Sequence, residues 1–153
     1  DEENPLNSMI HQVVTLSVCL ALQNQAIIES AYSYGKDLDE NLIKAAHIAA
    51  NIMAMNNIYY RATHLINSSS LSQQPAGLRM QGMTQHGIEA SVFELMSLAI
   101  SAINGCGLCL QSHYKHLQTH FNDEEITEAL RIASTLHALK QSCFIAVSNS
   151  VSL

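Results

Sequence analysis

Charged residues are scarce in this 153-residue chain, which has 7 Lys or Arg and 13 Asp or Glu. They make up 13% of the sequence, about half the share of roughly 25% in a typical soluble domain. With so few charged residues, part of the surface is expected to be covered by contacts with other copies of the chain. We therefore expect the chain to form oligomers. The net charge is −6 and the basic residues are spread singly, so no basic patch is available for phosphates. Nucleic acid is therefore not an expected partner.

Long apolar runs are also lacking. The most apolar stretch, residues 13–22, is interrupted by Thr15 and Ser17, whereas a membrane span needs about 20 apolar residues. We therefore expect a buried helix there and no membrane association. The opening residues Asp1, Glu2 and Glu3 are acidic, unlike the basic start of a secretory leader. With four cysteines in a core-rich composition, we expect a reducing, cytoplasmic location.

Apolar residues recur mainly at helical spacing, which predicts an all-α protein. With 48% hydrophobic residues, the chain is long enough to form one domain over residues 1–153. A first helix is predicted to begin at Asn4-Pro5 and to end through a left-handed Gly35. A second helix is predicted from about residue 39 to 57, with one apolar face formed by Leu42, Ala45, Ala46, Ala49 and Met53. Residues 59–66 either extend it or form a separate turn. A final helix follows a cap formed by Asn122 and Glu125.

Residues 67–85 are rich in Ser and contain Pro75 and Gly77, as is typical of a linker. They separate two halves, about 4–66 and 86–150. An offset of 84 residues aligns positions 39–55 with 123–139 and gives six identities over seventeen positions. The identical residues of the first half are Asp39, Glu40, Ala45, Ile48, Ala49 and Ala54. We therefore expect a duplicated helical hairpin.

The most informative motif is Cys-x-x-Cys-x-x-x-His, formed by Cys106, Cys109 and His113. On a helix these three side chains project within an arc of about 60°. Cysteines three residues apart at a helix start can close a disulfide, and the unpaired backbone N–H groups there favour a thiolate. His113 lies one turn after Cys109 and can accept its thiol proton. Cys109 is therefore the predicted attacking sulfur, and Cys106 the resolving one that condenses with a sulfenic acid.

Glu94 is the third candidate, because it is the only acid between Glu89 and Asp123 and lies in an apolar helix. A buried carboxylate needs a partner. We expect Glu94 to orient His113 or to pass protons, with a pKa that desolvation raises.

Other interpretations concern metal binding and packing. Zinc has four potential ligands in the motif: Cys106, Cys109, His113 and His116. Because one helix cannot easily surround a tetrahedral ion with four ligands, no metal is expected. His116 and His120 are predicted to face solvent, and Cys19 and Cys143 to serve as small core residues.

A Glu, eleven intervening residues and then Cys-x-x-Cys-x-x-x-His resembles the alkylhydroperoxidase D core of the carboxymuconolactone decarboxylase superfamily. Residues 99–106 and 126–133 also read like that family, and the similarity extends over about 86–145. The resemblance implies an AhpD-like all-α fold that assembles as a homotrimer or homohexamer. It also implies a thiol peroxidase that acts on small hydroperoxides and is reduced by a lipoamide-bearing partner, and a thioredoxin-type reductant is the alternative.

In that family the second cysteine is peroxidatic and the first resolves, which assigns these roles to Cys109 and Cys106. Glu94 and His113 would form a proton relay, and the only redox group would be the Cys106–Cys109 disulfide, with no further cofactor. The best-studied members place a His immediately before the second cysteine, whereas this chain has Leu108. We expect Leu108 and Phe93 to shape the hydroperoxide pocket.

Three functions follow from these observations. The first is a thiol-dependent antioxidant peroxidase or disulfide reductase, which the Cys-x-x-Cys motif favours. The second is a decarboxylase-like enzyme acting on a small lactone acid, for which the cysteines would be dispensable. The third is a non-catalytic, redox-sensing oligomer, an alternative that the missing relay His leaves open.

Overall fold

The computed structural model describes residues 4–150, and all regular structure within that range is helical. The seven α-helices are α1 (Ser8–Leu22), α2 (Gln25–Tyr34), α3 (Glu40–Ile66), α4 (Ser69–Ser72), α5 (Ala90–Asn104), α6 (Gly107–Leu117) and α7 (Asp123–Ser150). A short 3-10 turn, Gln81–Met83, lies between α4 and α5. The predicted all-α class is confirmed.

Helices α1 and α5 form the centre of the core. They pack against each other, and each also contacts α3 and α7. Both helices bury small polar residues as well as apolar ones. The hydroxyls of Ser17 and Ser97 donate to the backbone carbonyls of Val14 and Phe93, each at 2.8 Å. Because these bonds stay within one helix, the hydroxyls can be buried without a partner from another element.

The start of the chain differs from the predicted single helix. Helix α1 begins at Ser8 and ends where Gln23 adopts a left-handed conformation (φ 57°), and Asn24 then caps α2. The side chain of Asn24 accepts a hydrogen bond from a backbone N–H of the new helix, which stabilises a second start. Gly35 has φ −93°, so the prediction that it forms a left-handed exit was wrong.

Helix α3 runs without a break to Ile66, so residues 59–66 extend it. Asp39 caps it by accepting a hydrogen bond from the Leu42 N–H at 2.9 Å. Its predicted inner face is buried throughout and consists of Leu42, Ala45, Ala46, Ala49 and Met53. Small residues there allow α3 to approach α1 and α5 closely.

Helix α7 starts at the predicted reciprocal cap. The side-chain oxygen of Asn122 accepts hydrogen bonds from the N–H groups of Glu124 and Glu125, at 2.9 and 3.0 Å. In return, the Glu125 carboxylate accepts from the Asn122 N–H at 2.7 Å. The pairing satisfies three backbone donors that the first turn would otherwise leave free.

Helix α4 and the 3-10 turn are the only regular elements that the structure shows between α3 and α5. The division into two related halves around a linker at 67–85 and the association into oligomers stay predictions. Within the described part of the chain, no helix combines the length and apolar character that crossing a bilayer requires.

Candidate active site

The two motif cysteines lie where α5 turns into α6. Gly105 ends α5 in a left-handed conformation (φ 67°), and Cys106 then caps α6. The sulfurs of Cys106 and Cys109 are bonded as a disulfide, with the Cα atoms 5.3 Å apart. The backbone N–H of Cys109 also donates to Cys106 Sγ at 3.3 Å. Cys106 is thus the N-cap residue of α6. Its sulfur lies at the helix N-terminus, where the positive end of the helix dipole stabilises negative charge.

The two sulfurs differ in access. Cys106 has no exposed surface, whereas Cys109 is 8% exposed and lines a cavity. His113, one helical turn after Cys109, lines the same cavity. A molecule that enters this space therefore meets Cys109 first.

Glu94 on α5 reaches across to α6. Its Oε2 lies 2.6 Å from Nδ1 of His113, and the two side chains are 18% and 8% exposed. Burial acts to raise the pKa of Glu94, but the hydrogen bond from His113 and the charges of His113 and His116 outweigh it. The pKa of Glu94 is therefore held below its usual range. The prediction of a raised pKa was wrong. It considered only the effect of desolvation and left out the hydrogen bonds and charges of the two histidines, which lower the pKa of the carboxyl group.

Two further histidines, His116 and His86, interact electrostatically with Glu94. His116 places Nδ1 3.7 Å from Glu94 Oε1 while its side chain remains 62% exposed, so its predicted exposure is confirmed. His86 is buried and stacks on Phe93 with the ring centroids 4.2 Å apart. Burial lowers the pKa of His86, and the charge of Glu94 opposes that shift. Phe93 therefore lies beneath an imidazole and does not form the predicted pocket wall, whereas Leu108 does.

The cavity beside Cys109 has a volume of about 320 Å³ and lies between α3, α6 and the 3-10 turn. Its lining residues are Met53, Asn56, Tyr60, Met83, Leu108, Cys109, Ser112 and His113. The turn approaches α3 closely at Gly82, where a Cβ atom would lie 2.8 Å from a side-chain carbon of Ile48. The next residue, Met83, lines the cavity.

The contribution of α3 to this cavity was not predicted from the sequence. The buried stripe that includes Ala49 and Met53 continues at helical spacing with Asn56. A polar residue at an inward position of an otherwise apolar stripe was the signal available. His86 had no such signal, because it precedes α5 and only tertiary packing brings it near Glu94.

The remaining candidates lie away from the cavity. Cys19 is buried, and desolvation raises the pKa of its thiol to about 11. Cys143 is half-buried and packs against the core. His120 is exposed, as predicted. Over residues 4–150, no three His, Cys, Asp or Glu side chains are grouped so that they could hold a metal ion.

The fold and the site together define an all-helical protein with a Cys-x-x-Cys disulfide at a helix N-terminus, supported by a Glu–His pair and open to a mainly apolar cavity. The sequence model of the carboxymuconolactone decarboxylase family matches residues 70–142. The chain belongs to this family as an AhpD-like member, which confirms the resemblance found in the sequence.

Two relatives show the extent of the similarity. One, from Coxiella burnetii, is 42% identical over 148 residues, covering 94% of this chain and 84% of its own length. Another, from Acidobacterium capsulatum, is 45% identical over 122 residues, covering 78% and 67%. Both relatives are named alkyl hydroperoxide reductase AhpD.

Proposed function

We propose that this protein is an enzyme, a thiol-dependent peroxidase that reduces organic hydroperoxides while Cys106 and Cys109 cycle between dithiol and disulfide. The observation that carries the proposal is the asymmetry of the pair. Cys109 opens on the cavity that it shares with His113, and its bonded partner Cys106 is completely buried. The names of the relatives support the same activity.

In the first step, His113 takes the proton of the Cys109 thiol, and the thiolate attacks the terminal oxygen of the hydroperoxide. A sulfur–oxygen bond forms as the oxygen–oxygen bond breaks, and the alkoxide leaves with the proton from His113. Glu94 holds Nδ1 of His113, so Nε2 is the nitrogen that accepts and returns this proton. Cys109 is left as a sulfenic acid.

In the second step, the Cys106 sulfur attacks the sulfenic sulfur of Cys109. The disulfide forms, the sulfur–oxygen bond breaks, and the Cys106 proton leaves with the hydroxyl as water. The disulfide of the described structure is the product of this step. The cycle needs no cofactor beyond this pair.

Reduction then starts at Cys109, the accessible sulfur. One thiolate of a dithiol of the lipoamide or thioredoxin type attacks Cys109, and Cys106 leaves as a thiolate. The second thiol of the reductant then attacks the reductant sulfur that is bonded to Cys109, so Cys109 leaves as a thiolate and the reductant becomes a disulfide. The Cys109 N–H that points at Cys106 Sγ stabilises this leaving group, and a better leaving thiolate speeds exchange. Leu108, at the position where the best-studied family members have a relay His, forms an apolar part of the cavity wall and cannot carry a proton. The proton relay of this chain therefore consists of Glu94 and His113, with His116 close to Glu94.

The lining of the cavity favours a hydroperoxide over a lactone acid. An acid substrate needs a cation to pair with its carboxylate when it leaves water. Among the described residues that line the cavity there is no Lys or Arg, and the imidazole of His113 is already paired with the Glu94 carboxylate. A redox sensor without catalysis would share the disulfide, but it would not turn over peroxide.

We also propose that the chain acts as a homotrimer or homohexamer in the cytoplasm. Helix α3 exposes large apolar side chains near its end, namely Ile58, Leu65 and Ile66, at 57%, 74% and 62%. Burying them in a contact between copies would be favourable. Sedimentation equilibrium should give three or six times the mass of the chain, and a monomer at micromolar concentration would contradict this assembly.

The function is tested by following cumene hydroperoxide with dihydrolipoamide as reductant. The wild type should consume peroxide continuously, and Cys109→Ser should consume none. Without reductant, pre-reduced Cys106→Ser should consume one peroxide per chain and form a sulfenic acid that dimedone traps. Cys143→Ser, which changes a cysteine outside the site, is the matched control and should behave as wild type. Sustained turnover by Cys109→Ser would contradict the proposal.

A further inference from the structure

Asn56 on α3 is a buried polar residue that the fold does not explain. Its side chain is 6% exposed and lines the cavity that contains Cys109 and His113. Its Oδ1 is fully buried and has no hydrogen-bond partner among residues 4–150. Such atoms are uncommon in folded proteins, because leaving one unpaired is costly.

The next residue provides an internal comparison. Asn57 is also buried on α3, but both ends of its amide are bonded within the fold. Its Nδ2 donates to Ser101 Oγ at 2.9 Å, and its Oδ1 accepts from Asn104 Nδ2 at 3.0 Å. Asn57 therefore joins α3 to α5, whereas Asn56 joins α3 to nothing through its oxygen. Because Asn56 lines the cavity, rotation of its side-chain amide can present this oxygen to a molecule bound there, which would supply the missing donor.

The chemistry of that partner is restricted. A carbonyl oxygen only accepts hydrogen bonds, so the partner must be a donor. Most of the surrounding wall is apolar and includes Met53, Met83 and Leu108. A molecule with one O–H group on an apolar body fits both conditions. An organic hydroperoxide is such a molecule, and so is the alcohol that its reduction produces.

We propose that Asn56 Oδ1 accepts the hydrogen bond of the hydroperoxide O–H and afterwards that of the product alcohol. The identity of the ligand rests on the proposed function. Asn56 would hold the terminal oxygen in the cavity that Cys109 lines, without itself exchanging a proton. It would also set specificity, because a dialkyl peroxide has no O–H and loses this contact.

The contact can be measured without turnover on the disulfide form. The probes are 2-phenyl-2-propanol, the alcohol derived from cumene hydroperoxide, and its methyl ether, which lacks the O–H. Because one neutral hydrogen bond corresponds to about 3- to 10-fold in affinity, the wild type should bind the alcohol tighter than the ether by that factor in an NMR titration. Asn56→Leu should bind the two equally.

Thr15→Val is the matched control. Thr15 Oγ1 is another buried atom without a partner in the described structure, and it lies at a different cavity, between α1 and α7. This variant should keep the wild-type preference for the alcohol. If Asn56→Leu does not fold, Asn56→Ala tests the same contact. Asn56→Leu should also lower kcat/KM for cumene hydroperoxide about 3- to 10-fold without lowering the melting temperature.

Equal binding of alcohol and ether by the wild type would overturn the proposal, and so would a preference that survives in Asn56→Leu. These outcomes are independent of the peroxidase assay. If the wild type prefers the alcohol but consumes no peroxide, the proposed function fails and the Asn56 contact stands. If peroxide is consumed without any preference, the contact fails and the function stands.

Discussion

Replacing Glu94 by Gln should lower the free energy of unfolding by about 0.5–2 kcal/mol at pH 5.5. The carboxylate lies 2.6 Å from Nδ1 of His113, and both side chains are largely buried. A hydrogen bond to a charged group contributes about 1.5–3 kcal/mol, against about 1 kcal/mol for a neutral one. Gln keeps an acceptor but loses the charge, so the difference between these values is lost. For a chain of this length, this loss corresponds to about 1–8 °C in melting temperature.

The same variant has a defined pH dependence. The histidines hold the pKa of Glu94 below its usual 4.5 in the folded protein, while the unfolded chain keeps the usual value. The carboxylate therefore contributes its full stabilisation above pH 4.5, and this contribution is lost as the pH falls through the lower pKa of the folded state. The stability difference between wild type and Glu94→Gln should narrow over that acidic range and disappear below it.

Urea unfolding followed by circular dichroism, at a series of pH values with the disulfide intact, measures this difference. Glu128→Gln is the matched control, because its side chain is 19% exposed, against 18% for Glu94, and the same single charge is removed. Glu128 pairs with the exposed Arg131 at a spacing of three residues and lies 3.9 Å from Nε2 of His11, without a hydrogen bond to that ring. Ion pairs of this kind contribute about 0.2–1 kcal/mol. An equal loss in both variants, or a difference that widens on acidification, would refute the reasoning.

Three further outcomes can be measured by thermal unfolding or alkylation. Asn57→Leu should lower the free energy of unfolding by about 2–4 kcal/mol, since it breaks two hydrogen bonds and leaves Ser101 and Asn104 unpaired. A decrease below about 1 kcal/mol would argue against this network. Gly105→Ala should lower the free energy of unfolding by about 1 kcal/mol, because Gly105 has a left-handed conformation (φ 67°) that a residue with a Cβ atom adopts at a cost. An unchanged melting temperature would contradict this prediction. With a pKa of about 11, Cys19 should react with iodoacetamide at pH 8 about 100-fold more slowly than free cysteine. Comparable rates in timed peptide mass spectrometry would show that the thiol is not buried.

Interactions within one or two helical turns could be predicted from the sequence. The cap at Asn122 and the inner face of α3 depend on residues three or four positions apart, and the structure has them as expected. The break after Gln23 was missed because no Gly or Pro marks it. There a non-glycine residue adopts the left-handed conformation, and a local asparagine cap supports the restart.

Three features could be predicted from the order of residues: the chain is helical, Cys106 and Cys109 share the start of one helix, and His113 lies one turn further on. Each of these features depends on spacing along a single helix, which the order of residues specifies directly. The packing of the helices was needed to find the lowered pKa of Glu94, the exposure of one sulfur but not the other, and the unpaired oxygen of Asn56. Those properties depend on the distance between elements far apart in the sequence, since solvent exclusion and Coulomb interaction are set by how the helices pack.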